Sequence, residues 1–231
     1  MLSLLSARAS SQCDVCRQWG RGRVCADCVD RYAAPVPRCP RCALRLPAPA
    51  PSCGRCLHEP PLQEHTVCVA DYGFPWDRLI ADFKFRGQPE LAIAFAELMA
   101  GAVRAAAQAL PALVLPVPLA PRRLAERGYD QAWELARRVA RGLALPARAD
   151  LLRRPRDTAH QADLPRAERL ANLRHAFAVA APAPAALAGR RVALVDDVLT
   201  TGATAREAAR ALLDAGAAAV DVWVIARTAE N

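Results

Sequence analysis

Val192-Ala-Leu-Val-Asp-Asp-Val-Leu-Thr-Thr-Gly-Ala-Thr204 decides how this chain is read. The apolar run over Arg190–Asp196 has the pattern of a strand buried on both faces. It meets two adjacent carboxylates, Asp196 and Asp197, and then a turn of hydroxyl residues and glycine. An amphipathic helix is expected over Thr204–Ala215, with Gly216 as its stop. Strand, tight turn and helix N-terminus form an anion site. The backbone N–H groups of Thr200, Thr201, Gly202, Ala203 and Thr204 can converge there, and the helix dipole adds to them. Gly202 allows close backbone approach, and the Thr201 and Thr204 hydroxyls add donors. Asp196 and Asp197 would repel a phosphate, but they accept hydrogen bonds from a vicinal diol, directly or beside Mg²⁺. Anion-binding turn and diol-binding acids together describe a ribose 5-phosphate. A simple capped turn needs one Asp or one Thr and does not require the whole string.

Outward from this stretch, the pattern alternates strand and helix. Strands are expected at Val67–Tyr72, Ala112–Val117 and Val220–Ala226, and helices at Trp76–Phe85, Glu90–Leu110 and Tyr129–Gly142. Residues 146–175 read as an irregular basic loop with one helix near 166–174. Such alternation implies βαβ units and a parallel sheet with helices on both faces. Arg122, Arg123 and Arg127 fall in a polar segment after the second strand, read as a loop. These arginines can neutralise a pyrophosphate, or they form a solvated basic surface. Lys84, the sole lysine, can reach an anion or simply end its helix.

The N-terminal part is of another kind. Cys13-x2-Cys16 and Cys25-x2-Cys28 are followed by Cys39-x2-Cys42 and Cys53-x2-Cys56, a pseudo-repeat. Each CxxC can aim two sulfurs at one centre, and two pairs complete a tetrahedral site suited to structural Zn²⁺. Sequential pairing gives two zinc ribbons; interleaved pairing, 13/16 with 39/42, is the rival. A segment this short and poor in large apolar residues needs metal to fold. Redox pairs usually sit at a helix start after a strand, and none of the four is expected there. His58 and His65 read as surface residues and Cys68 as a buried small side chain. The expected organisation is a tail over 1–12, a double zinc ribbon over 13–62 and an α/β domain over 67–231.

Composition narrows the remaining classes. Lys+Arg 31 against Asp+Glu 23 gives a net charge of +8, which permits an anionic or nucleic-acid partner. Arginine forks pair with phosphate in a bidentate way. No apolar stretch approaches the ~20 residues of a membrane span. The first twelve residues, MLSLLSARASSQ, lack the marks of a signal peptide, so a cytoplasmic protein with metal-held thiolates is expected.

The stretch Val192–Thr204 resembles the signature of type I phosphoribosyltransferases that binds 5-phosphoribosyl 1-pyrophosphate (PRPP). The whole chain resembles the ComF family, competence-associated proteins with a cysteine module and a phosphoribosyltransferase-like domain. The matches are the CxxC pairs, Lys84-Phe-x-Gly87, Pro116-Val-Pro-Leu119, Arg127-Gly-Tyr-Asp-Gln131, Thr158-x-x-Gln161, Arg169-x-x-Asn172 and the VDDVLTTGAT run. Asp130 stands where family members often carry asparagine. The resemblance implies PRPP with Mg²⁺ as ligand and a pyrophosphate loop after Ala112–Val117. It further implies a flexible loop over 122–131 with Arg122, Arg123, Arg127 and Gly128, and roles in ribosyl transfer for Asp196, Asp197 and Arg127. It also implies single-stranded DNA and DNA-uptake proteins, such as a ComF-associated helicase, as partners. Ribosyl transfer in nucleoside metabolism and non-catalytic PRPP sensing are the alternative activities.

Overall fold

The computed structural model describes residues 10–106, 108–155, 176–180 and 183–229. Four parallel strands, β3 (His65–Asp71), β4 (Leu113–Pro116), β7 (Arg191–Leu199) and β8 (Ala219–Arg227), form one sheet in the order β3-β8-β7-β4. The two central strands, β7 and β8, alternate their side chains between two cores. Val195, Trp223 and Ile225 face α3 (Trp76–Phe85), α4 (Leu91–Ala105) and α6 (Gln131–Gly142), among Phe83, Phe95, Met99 and Leu135. Leu194, Val222 and Val224 face the other way, onto Ala205, Ala208 and Leu212 of α8 (Ala203–Asp214). Burial on both faces is why Val192–Val195 and Val222–Ala226 read as unbroken apolar runs. The remaining elements are α5 (Pro121–Arg127), the antiparallel pair β5 (Leu152–Arg153) and β6 (Ala178–Val179), and α7 (Ala183–Leu187).

Three sequence expectations change here. Strand β7 continues through both carboxylates to Leu199 and does not end at Asp196. The segment expected as a polar loop after β4 contains α5: Pro121 stands at its start and Gly128 closes it at φ +80°. Residues 10–12, set apart as a tail, form β1 (Ser10–Gln12), paired with β2 (Trp19–Arg21) around the first CxxC. The helix expected near 166–174 and the Thr158 and Arg169 motifs lie outside the described residues.

The cysteine module repeats its backbone as well as its spacing. In each half the first cysteine accepts from the residue four positions on, Arg17 N to Cys13 O at 2.9 Å and Ala43 N to Cys39 O at 2.8 Å. Arg17 and Ala43 both adopt the left-handed region, at φ +65° and +57°. The second pair of each half begins a helix: Cys25 precedes α1 (Ala26–Tyr32) and Cys53 precedes α2 (Gly54–His58). Position at a helix start therefore does not separate these cysteines from redox pairs; clustering in fours does.

Candidate functional site

The sheet's central strand β7 delivers Asp196 and Asp197 to its C-terminal end, where open α/β sheets place ligands. Asp197 is buried and Asp196 half-buried. The Asp197 N–H donates to Asp196 Oδ1 at 2.8 Å, and Lys84 Nζ lies 2.7 Å from Asp197 Oδ1. Asp197 Oδ2 is buried without a hydrogen-bond partner among the described residues. Desolvation, then the neighbouring charge of Asp197, raises the Asp196 carboxyl well above its ordinary value, with Lys84 opposing. Lys84 is thus the cation in contact with the carboxylate pair.

Past β7 the chain turns sharply. Thr200 and Thr201 are exposed, and Gly202 sits at φ +81° as the N-cap of α8. A side chain there would be strained, which accounts for glycine at this position. The Thr201 hydroxyl accepts from Ala203 N at 3.4 Å, and Arg206 N donates to Gly202 O at 2.8 Å. Thr200–Gly202 therefore form a compact turn after the strand end, and Ala203 and Thr204 open the 12-residue helix, the arrangement of a helix N-terminal anion site.

The expected basic residues separate in space. Arg122 pairs with Glu126 at 2.8 Å and projects into solvent. Arg127 lies over the Phe85 ring, 5.0 Å from its centroid, and donates to Gln131 Oε1. Arg123 and Arg127 share a cavity of about 350 Å³ with Lys84, Phe85 and Tyr129. Asp130 caps α6 by accepting from Trp133 N at 3.1 Å, so this carboxylate serves the helix start.

Two residues of the site went unassigned in the sequence. Lys84, which the sequence allows to reach an anion or to end its helix, does both: it stands in the last turn of α3 and touches Asp197. Arg227 ends β8 at 1% exposure. Its Nε donates to Cys42 O at 2.9 Å, and its Nη1 donates to Thr200 O at 2.6 Å and Leu199 O at 3.3 Å. This guanidinium ties the second cysteine half to the turn after β7. The available signal was a basic residue closing a strand that is apolar apart from Asp221.

The eight cysteines form two tetrads, Cys13/16/25/28 and Cys39/42/53/56, each with its sulfurs within 4.8 Å of one another. This is the sequential pairing. Zn–S bonds of about 2.3 Å in a tetrahedron place sulfurs roughly 3.8 Å apart. Measured separations are 3.8 Å for Cys13–Cys28 and 3.6 Å for both Cys16–Cys25 and Cys42–Cys53. Burial opposes the thiolates of Cys13 and Cys39. Backbone N–H groups, including Cys25 N at 3.4 Å and Cys53 N at 3.3 Å, outweigh it and bring both below the ordinary thiol value. The donor set fits Zn²⁺, with no protein position left for chemistry. Burial pushes the Cys68 thiol up to about 11, and Cys68 joins neither tetrad; nor do His58 and His65. No helix among the described residues is long and apolar enough to cross a membrane.

Comparison with known proteins matches residues 130–231 to the phosphoribosyl transferase domain. The chain is 36% identical over 226 residues to DNA utilization protein YhgH of Escherichia coli K12, covering 94% of this chain and 96% of the relative. It is 36% identical over 175 residues to competence protein F of Haemophilus influenzae, covering 74% and 76%. To competence protein ComFC of Bacillus subtilis it is 30% identical over 151 residues, 65% of this chain and 59% of that one. A match to the phosphoribosyl transferase domain that spans Asp196 and Asp197, two cysteine tetrads, and 36% identity over 94% of the chain to the Escherichia coli protein and over 74% of it to competence protein F place the chain in the ComF family.

Proposed function

We propose that this is a PRPP-binding protein that handles single-stranded DNA in the cytoplasm during DNA uptake. The observation that carries the ligand is the carboxylate pair at the end of β7, contacted by Lys84 and followed by the Gly202 turn. In this reading Asp196 and Asp197 accept the ribose hydroxyls, and the N–H groups of Thr200–Thr204 receive the 5-phosphate. Mg²⁺ carried with PRPP would neutralise its pyrophosphate. The relatives' names, DNA utilization protein and competence protein, support the pathway. The +8 charge suits a phosphate-rich strand.

Asp196→Ala with Asp197→Ala tests the reading. The expected result is at least a ~100-fold loss of ribose 5-phosphate affinity, as two charge-assisted bonds of about 1.5–3 kcal/mol each disappear. DNA uptake in a transformation assay should fall with it. Full transformation by the double variant would remove the pocket from the pathway.

A pH prediction follows from Asp196. Its raised value in the fold means that the folded state binds a proton the unfolded state has released. Its stabilising contribution is therefore present at low pH and is lost as pH rises from the ordinary carboxylate range through the raised value. Asp196→Asn should raise the melting temperature more at pH 8 than at pH 5. Diol binding needs the ionised acceptor, so ribose 5-phosphate affinity should weaken as pH falls through the same window. Calorimetry at both pH values reads both effects.

A second reading, ribosyl transfer, is favoured by the cavity beside Lys84, which leaves room for an acceptor. The acceptor's electron pair would form a bond to C1, the C1–O bond would break, and that pair would leave with pyrophosphate. Arg127 and Arg123 border the cavity and can offset the departing charge. Pyrophosphate release from PRPP across a panel of acceptors decides this reading.

A further inference from the structure

The two cysteine halves and the sheet meet at a cavity of about 300 Å³ that a ribose 5-phosphate leaves unused. Arg38 and Arg45 flank the Cys39–Cys42 knuckle and are joined by an antiparallel bridge. Both reach Asp71 at the end of β3, Arg38 at 2.6 Å and Arg45 at 3.4 Å. Tyr32 closes α1, and its carbonyl accepts from Trp76 Nε1 at 2.7 Å, which pins the first cysteine half to the start of α3. Phe74, between β3 and α3, meets the Tyr32 ring edge to face at 5.4 Å, yet it remains 64% exposed. Tyr72, two residues earlier, is 44% exposed. Arg31 lies 5.3 Å from the Tyr32 ring centroid and has no ion pair among the described residues.

Three arginines and one carboxylate line this space, so positive charge is in excess. Arg45 is 63% exposed, and an exposed pair at its separation from Asp71 contributes little, so its guanidinium can turn to a phosphate at small cost. A solvated basic surface would account for the arginines but not for an exposed phenyl ring steadied by a second ring. A single nucleic-acid strand alternates charged phosphate with flat base faces, and this surface alternates guanidinium with ring. A duplex keeps its base faces stacked inside and presents phosphate. Asp71 and Leu199 both pair with Arg227, so the cavity opens at the same end of the sheet as the turn after β7, two strand spacings or ~10 Å away. We infer that this junction holds a single nucleic-acid strand, with a base stacked on Phe74 and phosphates on Arg31 and Arg45. Arg38, the least exposed of the three, stays on Asp71 and positions the knuckle. This rests on the strand-handling reading and deepens it by naming the surface, which both cysteine halves and the sheet build together outside the carboxylate pocket.

Fluorescence anisotropy of the zinc-loaded chain with a labelled ten-nucleotide thymidine strand is the test. Phe74→Leu should weaken binding roughly tenfold, because one base loses its stacking partner, with melting temperature and ribose 5-phosphate affinity unchanged. Phe74→Trp should keep the parent affinity or exceed it. A strand of equal length without bases should bind the parent roughly tenfold more weakly and should not distinguish the parent from Phe74→Leu. Arg31→Gln and Arg45→Gln should each weaken both strands alike and reduce the salt slope by about 0.7. An unaltered thymidine-strand affinity in Phe74→Leu, or an equal loss for the base-free strand, overturns the inference. A duplex of the same length that binds as tightly as the single strand, independently of Phe74, reduces the surface to a phosphate patch and also overturns it. Self-association of the chain that Phe74→Leu abolishes while strand affinity holds overturns it in favour of a contact between copies. If the parent binds no strand, the strand-handling reading falls and this inference with it. If the parent binds and all these variants match it, only this inference falls.

Discussion

Chelation should unfold residues 13–58 and leave the parallel sheet folded. Around the second tetrad the buried cluster is Cys39, Cys42, Cys53 and Cys56, with only Leu44 and Leu46 packed against it. Six side chains of that size cannot offset ~1–2 kcal/mol of backbone entropy per residue. Structural Zn²⁺ in such peptides supplies about 10–16 kcal/mol at neutral pH, so its removal removes the driving force for folding. The sheet has two large cores of its own on opposite faces and should keep its protection. Hydrogen exchange with and without chelator is the measurement. Protection should vanish at 13–58, persist in β7 and β8, and drop at Thr200–Ala203, because Arg227 loses the Cys42 carbonyl. Unchanged exchange at 13–58 would reject the metal-dependent fold, as would thiols found joined as disulfides.

Arg227→Met should lower stability by about 3 kcal/mol. The substitution keeps the side chain's length but strands the carbonyls of Cys42 and Thr200, and it weakens the bonding of Leu199. A buried acceptor left unpaired costs about 1–3 kcal/mol. For a chain of this size that is a fall of roughly 6–12 °C in melting temperature. Arg227→Lys should recover only part, because an ammonium cannot span both the cysteine half and the turn after β7 as a guanidinium fork does. Ribose 5-phosphate affinity should fall in the same variants, since the turn proposed to receive the phosphate loses its tie. A melting temperature within about 2 °C of the parent, with normal exchange at Thr200–Ala203, would show the tie to be dispensable.

Much of the site was legible in the chain because it is local. Asp196, Asp197 and Thr200–Thr204 are contiguous, and their strand–turn–helix pattern is written in successive residues. The CxxC pairs are equally local, and only their partnering needed the fold; the tetrads chose the sequential scheme. The arginine segment was less legible. One reading treated Arg122, Arg123 and Arg127 together, yet a seven-residue helix turns Arg122 to solvent and Arg127 toward Phe85. Helical spacing disperses neighbours that a loop would keep together.

The sequence alone therefore determined the sheet, the ligand-like cysteines and the carboxylate turn. Each depends on backbone periodicity or on spacings of a few residues, which survive without knowledge of neighbours. The tertiary structure decided what stands opposite them. Lys84 reaches Asp197 on β7 from the end of α3, and Arg227 reaches Cys42 across 185 residues. Such contacts have no spacing to read, because packing of distant elements creates them. A lone lysine at a helix end and a lone arginine at a strand end look the same in the chain whether they meet solvent or a buried carboxylate or carbonyl.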